Sequence, residues 1–123
     1  MKPGKTGLRR LLDATGYSWR GLRAAFKHEA AFRQELALLV AAMVAAIFVA
    51  RSLLQFLLLA APLLILLIVE LLNSAIEAVV DRIGSEAHEL SGRAKDMGSA
   101  SVFIALVLVG FSWAIIIVEN YLI

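Results

Sequence analysis

Residues 52–69 read Ser-Leu-Leu-Gln-Phe-Leu-Leu-Leu-Ala-Ala-Pro-Leu-Leu-Ile-Leu-Leu-Ile-Val, 18 residues between Arg51 and Glu70 with no charge among them. A helix needs about 20 mostly apolar residues to cross a bilayer, with a range of about 17–25. This run just reaches that length. Two others flank it. Leu36–Ala50 is 15 residues between Glu35 and Arg51, and Met97–Val118 is 22 residues between Asp96 and Glu119. The last qualifies outright; the first needs 30–35 to complete the crossing. The expected fold is all-α and membrane-integral, one domain over 1–123. It holds three transmembrane helices, about 30–50, 52–83 and 96–119, behind an N-terminal amphipathic surface helix over about 6–27.

Composition supports lipid as the solvent. Of 123 residues, 61% are hydrophobic and 18% charged, and the mean hydropathy is +0.84. Soluble domains are about half apolar and a quarter charged. The chain has no cysteine, which removes disulfides, thiol nucleophiles and cysteine-bound metals. A net charge of +2 is too small to point to nucleic acid, and none is expected as a partner. The first apolar run stands behind a long polar segment, so none of the three reads as a signal peptide.

Lys and Arg orient the spans. Lys2, Lys5, Arg9, Arg10, Arg20, Arg23, Lys27 and Arg33 precede the first, Arg51 alone follows it, and Arg82, Arg93 and Lys95 separate the second from the third. The positive-inside rule places the N-terminus and the second connection in the cytoplasm. Before the spans, Leu8, Leu11, Leu12, Leu22 and Phe26 alternate with basic residues at helical spacing, and Tyr17 and Trp19 suit the headgroup level. Gly16 and Ser18 are expected to interrupt this helix.

The second span does not end where its charge-free run ends. It continues as Glu70-Leu-Leu-Asn-Ser-Ala-Ile-Glu-Ala-Val-Val-Asp-Arg-Ile83, and Gly84 then offers a stop. At 100° per residue Glu70, Asn73, Glu77 and Asp81 share one stripe, which must face protein or water rather than lipid tails. Helix rise puts Glu70 roughly 27 Å from Ser52, near the boundary of a hydrocarbon core about 30 Å thick. Glu29, Glu77, Lys95 and Asp96 fall at the same level, with Glu35 slightly deeper.

Carboxylates with an amide oxygen are hard ligands suited to Mg²⁺, which usually shares substrate phosphates. A neighbouring lysine can neutralise phosphate oxygens. A carboxylate that loses hydration at this boundary is suited to take up a proton as a general base. That set fits a reaction between a water-borne nucleotide and a lipid hydroxyl. It reads equally as a set of interhelical clasps that fix packing. The connection 84–96 has no phosphate-binding glycine loop of the GxxxxGK[ST] type. His88 with Glu86 and Glu89 is weak ground for a metal, and nucleotide contact suits this loop better. Pro62 is expected to kink the second span, Ala41, Ala42, Ala45 and Ala46 to give close helix contact, and Ser99, Ser101 and Ser112 to bond their own backbone. Three helices cannot easily shield the stripe, so further copies of the chain are expected to complete it.

The stretch from Val69 to Glu86, followed by His88-Glu-Leu-Ser-Gly-Arg-Ala-Lys-Asp-Met-Gly-Ser-Ala100, closely resembles the small integral-membrane diacylglycerol kinases of bacteria. So do Gly16-Tyr-Ser-Trp-Arg-Gly-Leu-Arg-Ala-Ala25 and Glu29-Ala-Ala-Phe-Arg-Gln-Glu35. The resemblance spans essentially the whole chain. It implies a homotrimer of the bacterial inner membrane, with active sites shared between subunits, that uses MgATP to phosphorylate diacylglycerol to phosphatidic acid. It implies Glu70 as the base, Glu29 and Glu77 as Mg²⁺ ligands, and Asn73 as a polar partner of the base. Nucleotide contacts fall at Arg10, Tyr17, Glu29, Glu77, Glu86, Ala87, His88, Lys95 and Asp96. The lipid side falls at Arg10, Ala14, Thr15, Gly16, Tyr17, Ser18, Trp19, Arg23, Ala31, Phe32, Arg33, Gln34, Glu35, Glu70, Ser99 and Trp113. The chain departs from the pattern at Phe26, where the best-known members carry a larger aromatic, and at Ala87, which replaces a tyrosine.

Three other readings compete. An undecaprenol kinase would keep the chemistry and change the acceptor. A proton-coupled transporter would want Glu70 at mid-membrane rather than at its boundary. A purely structural subunit gives no reason for so many charges at one level.

Overall fold

The computed structural model describes residues 6–84 and 88–123. Lys2, Lys5, Glu86 and Ala87 lie outside the described residues. Among the described residues four helices follow in order: α1 (Gly7–His28), α2 (Ala30–Val49), α3 (Leu53–Ile83) and α4 (Glu89–Ile117), the last running into a π-helical turn, Val118–Leu122. Helices α2, α3 and α4 are each long and apolar enough to cross a membrane. α4 starts at Glu89 rather than near 96.

Local chemistry sets the boundaries. The Ser52 hydroxyl caps α3 by accepting from the Gln55 N–H at 3.1 Å. Gly84 ends α3. His88 caps α4, its Nδ1 accepting from the Leu90 N–H at 3.0 Å, and Glu89 adds an acid to the first turn, where the helix dipole favours one. Glu29 is extended (φ −114, ψ 102) and separates α1 from α2. The Arg33 guanidinium reaches back across this break to the Phe26 and Lys27 carbonyls, at 2.6 and 3.1 Å. It thereby satisfies the open end of α1.

α1 is continuous through Gly16 and Ser18, against expectation. The Thr15 and Ser18 hydroxyls return to the carbonyls of Leu11 and Ala14 in the helix itself, at 2.9 and 2.8 Å. A lone helical glycine costs only about 1 kcal/mol.

α3 packs most extensively on α4 and less on α2, while α1 touches α2. α3 is unbroken through the buried Pro62. Proline has no N–H for the carbonyl four residues earlier. That carbonyl, of Leu58, accepts instead from the Ser112 hydroxyl of α4. The next, of Leu59, accepts from Trp113 Nε1 at 3.2 Å. Ser112 thus bonds across helices rather than to its own, whereas Ser101 does return to Met97 O at 3.0 Å. Around this crossing Ala46, Leu59 and Ile116 form the core, with Val49, Phe56 and Trp113 against it.

The outside of the bundle stays apolar. At most 22% of the most apolar stretch of any spanning helix is covered by the rest of the chain. Leu38, Phe48, Leu53, Phe103 and Phe111 are all well exposed.

Candidate functional site

Glu70, Asn73, Ser74 and Glu77 form a half-buried polar stretch on α3, one and two turns apart. The Asn73 amide nitrogen donates to Glu77 Oε1 at 3.3 Å. Glu35 of α2 lies close to Glu70, with Glu77 in electrostatic range. Carboxylates held this close repel, so the group favours positive charge beside it. Asn73 Oδ1 and Glu35 Oε2 are buried without a partner among the described residues. Buried oxygens normally have one, so two orphans in one cluster signal an unmet demand for a donor or a cation.

Glu29 approaches from the break between α1 and α2. Its carboxylate makes no capping bond. It lines a cleft of about 680 Å³ with Ser18 and His28 of α1 and Leu71, Ser74 and Ala78 of α3. A second cleft, about 810 Å³, lies between α1 and the spans, with an apolar wall of Trp19, Leu22, Phe26, Phe32, Leu36 and Leu67. Its cations, Arg20, Arg23 and Lys27, come from one side of α1. An apolar cleft rimmed by cations suits an amphiphile whose headgroup meets phosphate.

The expected residues divide by place. Trp19, Arg23 and Phe32 line the larger cleft. Ala14 and Gly16 are half-buried; Arg10, Thr15, Ala31 and Gln34 are exposed. The Tyr17 ring carries the Arg20 guanidinium 4.9 Å from its centre. Lys95 pairs with Asp81 at 2.9 Å, both partly exposed, so α4 meets the acidic stripe of α3 there. Asp96 and Ser99 are exposed on α4. Trp113 stands apart, bonded to Leu59 about 16 Å along α3 from Glu70. Glu86 and Ala87 lie outside the described residues.

Three cleft-lining residues stand outside the expected site set. Arg20 and Lys27, which bracket Arg23 in the larger cleft, were read from the sequence only as part of the basic face of the N-terminal helix. Ser74, beside Asn73, faces the Glu29 cleft. The nearness of Glu35 to Glu70 had no sequence signal, since depth counting set Glu35 apart.

The donors fit a hard divalent cation in kind. The Glu77 carboxylate adjoins the partnerless Asn73 amide oxygen, and the Glu29 carboxylate is not spent on capping. Among the described residues no three acidic or imidazole groups of one chain stand close enough to hold an ion. Substrate phosphates, water or another copy would complete the shell.

Residues 16–117 match the family model for prokaryotic diacylglycerol kinase. The chain is 51% identical to the diacylglycerol kinase of Escherichia coli K12 over 121 residues, covering 98% of this chain and 99% of that one. It is 53% identical to the Pseudomonas aeruginosa diacylglycerol kinase over 114 residues, 93% of each. It is 52% identical to that of Haemophilus influenzae over 108 residues, 88% of this chain and 92% of the relative.

Proposed function

The chain belongs to the prokaryotic diacylglycerol kinase family, and on that premise we propose how its own residues carry the reaction. It is an ATP-dependent multi-pass membrane enzyme that moves the γ-phosphate of ATP to the hydroxyl of diacylglycerol, giving phosphatidic acid. The observation that carries the mechanism is the half-buried carboxylate group of α2 and α3, set beside clefts that open under α1.

Glu70 accepts the proton of the lipid hydroxyl. That oxygen attacks the γ-phosphorus, the bond to the β-phosphate bridging oxygen breaks, and ADP leaves. Glu35 and the lipid-facing positions of α1 orient the acceptor, whose chains lie in the apolar cleft, with Arg20, Arg23 and Lys27 at the headgroup level. Asn73 fixes Glu77 through its amide. Glu29 and Glu77 would hold Mg²⁺, which when bound would offset the charge of the phosphates. Lys95 exchanges its exposed pairing with Asp81 for a phosphate oxygen, and Arg10, Tyr17, Glu86, Ala87, His88 and Asp96 meet the nucleotide. Transfer of this kind is mainly positioning and charge neutralisation.

The polar stripe of Glu70, Asn73 and Glu77, which the chain's own helices leave half-covered, supports an assembly in which neighbouring copies complete each site, and membership of the family implies that the assembly is a homotrimer. The charge asymmetry supports an inner-membrane protein with a cytoplasmic N-terminus and α1 as an amphipathic helix in the headgroup plane.

The test supplies purified protein in mixed micelles with labelled MgATP and either diacylglycerol or undecaprenol. Phosphatidic acid is the expected main product. Polyprenyl phosphate as the main product would overturn the acceptor, and no product from a folded oligomer would overturn the mechanism.

A further inference from the structure

We infer that Gly98 is a positioning residue for the phosphoryl transfer: lacking a side chain, it leaves the space from which the Asn73 amide holds Glu77. The inference rests on the role proposed above for Glu77. Gly98 is buried in α4. A Cβ built on it would overlap the Asn73 amide oxygen and stand 3.3 Å from Asn73 Cγ. That oxygen is buried and partnerless, while the nitrogen of the same amide donates to Glu77 Oε1 at 3.3 Å. A methyl at 98 therefore displaces the group that orients Glu77. Three residues earlier on the same helix Lys95 meets Asp81, so α4 approaches the acidic stripe at both points.

The demand is local. Gly21, Gly92 and Gly110 are also helical, and a Cβ on any of them meets nothing within 4 Å among the described residues. Glycine within a helix is unfavourable relative to alanine, so at Gly98 the helix gives up intrinsic stability where the neighbouring amide needs room. Groups that orient a metal ligand typically change metal affinity or activity about 10–100-fold when altered.

The experiment compares Gly98→Ala, Asn73→Ala and the double variant in detergent micelles. It reads thermal unfolding, kcat, the Mg²⁺ concentration for half-maximal rate, and the nucleotide-free ¹⁵N resonance of the Asn73 side-chain amide. Gly98→Ala is expected to shift that resonance, lower kcat about 10-fold or more and raise the Mg²⁺ requirement. In the Asn73→Ala background the same change should cost less than about twofold further, because the displaced group is already gone. A shifted resonance and lowered kcat with an unchanged Mg²⁺ requirement would keep the role of Gly98 and overturn Glu77 as the ion's ligand. An unmoved resonance would overturn the inference, as would an equal loss in both backgrounds. If Gly98→Ala alone fails to fold, the double variant, which has room for the methyl, is expected to fold with the activity of Asn73→Ala. Its failure to fold would show that the methyl meets something other than Asn73, and would overturn the inference too.

Discussion

At the Asn120 end of the bundle the inward-turned amides bond one another; at the Glu70 end oxygens are buried with nothing to bond. The buried Asn120 amide nitrogen donates to Val49 O at 2.9 Å and to Gln55 Oε1 at 2.8 Å. Gln55 Nε2 returns to Asn120 Oδ1 at 2.8 Å and to Glu119 at 3.2 Å, and Gln55 Oε1 also accepts from the Arg51 N–H at 2.9 Å. Arg51 then lies over the Tyr121 ring, 4.9 Å from its centre. This end ties the turn after α2, the start of α3 and the close of α4 into one network. The Glu70 end gathers Glu35, Glu70, Asn73 and Glu77 but leaves Glu35 Oε2 and Asn73 Oδ1 partnerless. A network closed within the chain stabilises; one left open has capacity for substrate. Stability and activity should therefore separate by end.

Apart from removing Glu70 itself, the largest effect is expected from Glu77→Gln. It should raise the Mg²⁺ requirement or lower turnover by at least the roughly 10–100-fold that altering a mere supporter of a metal ligand costs, with the unfolding temperature nearly unchanged. Titration of activity against Mg²⁺ checks it, and a variant that melts earlier but turns over normally would make Glu77 a clasp. At the opposite end Asn120→Leu should do the reverse. Stranding Val49 O and the Gln55 amide costs about 1–3 kcal/mol, read by unfolding in detergent, while kcat in the folded fraction stays at the parent value. A smaller loss of stability, about 0.6 kcal/mol, is expected from Ser112→Ala, which leaves the Leu58 carbonyl above Pro62 unpaired. Ser112→Thr should keep it. Least of all, Asp81→Asn should leave the unfolding temperature unmoved, because its pair with Lys95 is open to water. A clear drop in that melt would show the pair to be a packing element.

The spans were legible because charge-free length measures membrane thickness directly, and Arg51, Glu70 and Asp96 punctuate the runs sharply. The stripe of Glu70, Asn73 and Glu77 was legible because helical periodicity alone puts those residues on one face. What periodicity cannot convey is which face meets which neighbour. Glu35 belongs to another helix, and only the packing of α2 on α3 brings it to Glu70. The Gln55–Asn120 bonds join residues 65 apart. The Ser112 bond depends on a carbonyl freed by Pro62, a cross-helix consequence of a proline read in the sequence only as a kink. Gly16 and Ser18 misled because their helix-breaking tendency is small, about 1 kcal/mol for the glycine, against the helix that continues on both sides.

The most direct test of the account is Glu70→Gln beside Asn120→Leu, each purified as a folded oligomer and assayed for transfer of label from ATP to diacylglycerol. Loss of a general base costs about 10²–10⁴-fold. That loss is expected for Glu70→Gln with an unchanged melt, and near-parent transfer for Asn120→Leu with a lowered one. A folded Glu70→Gln enzyme that phosphorylates diacylglycerol at close to the parent rate would contradict it.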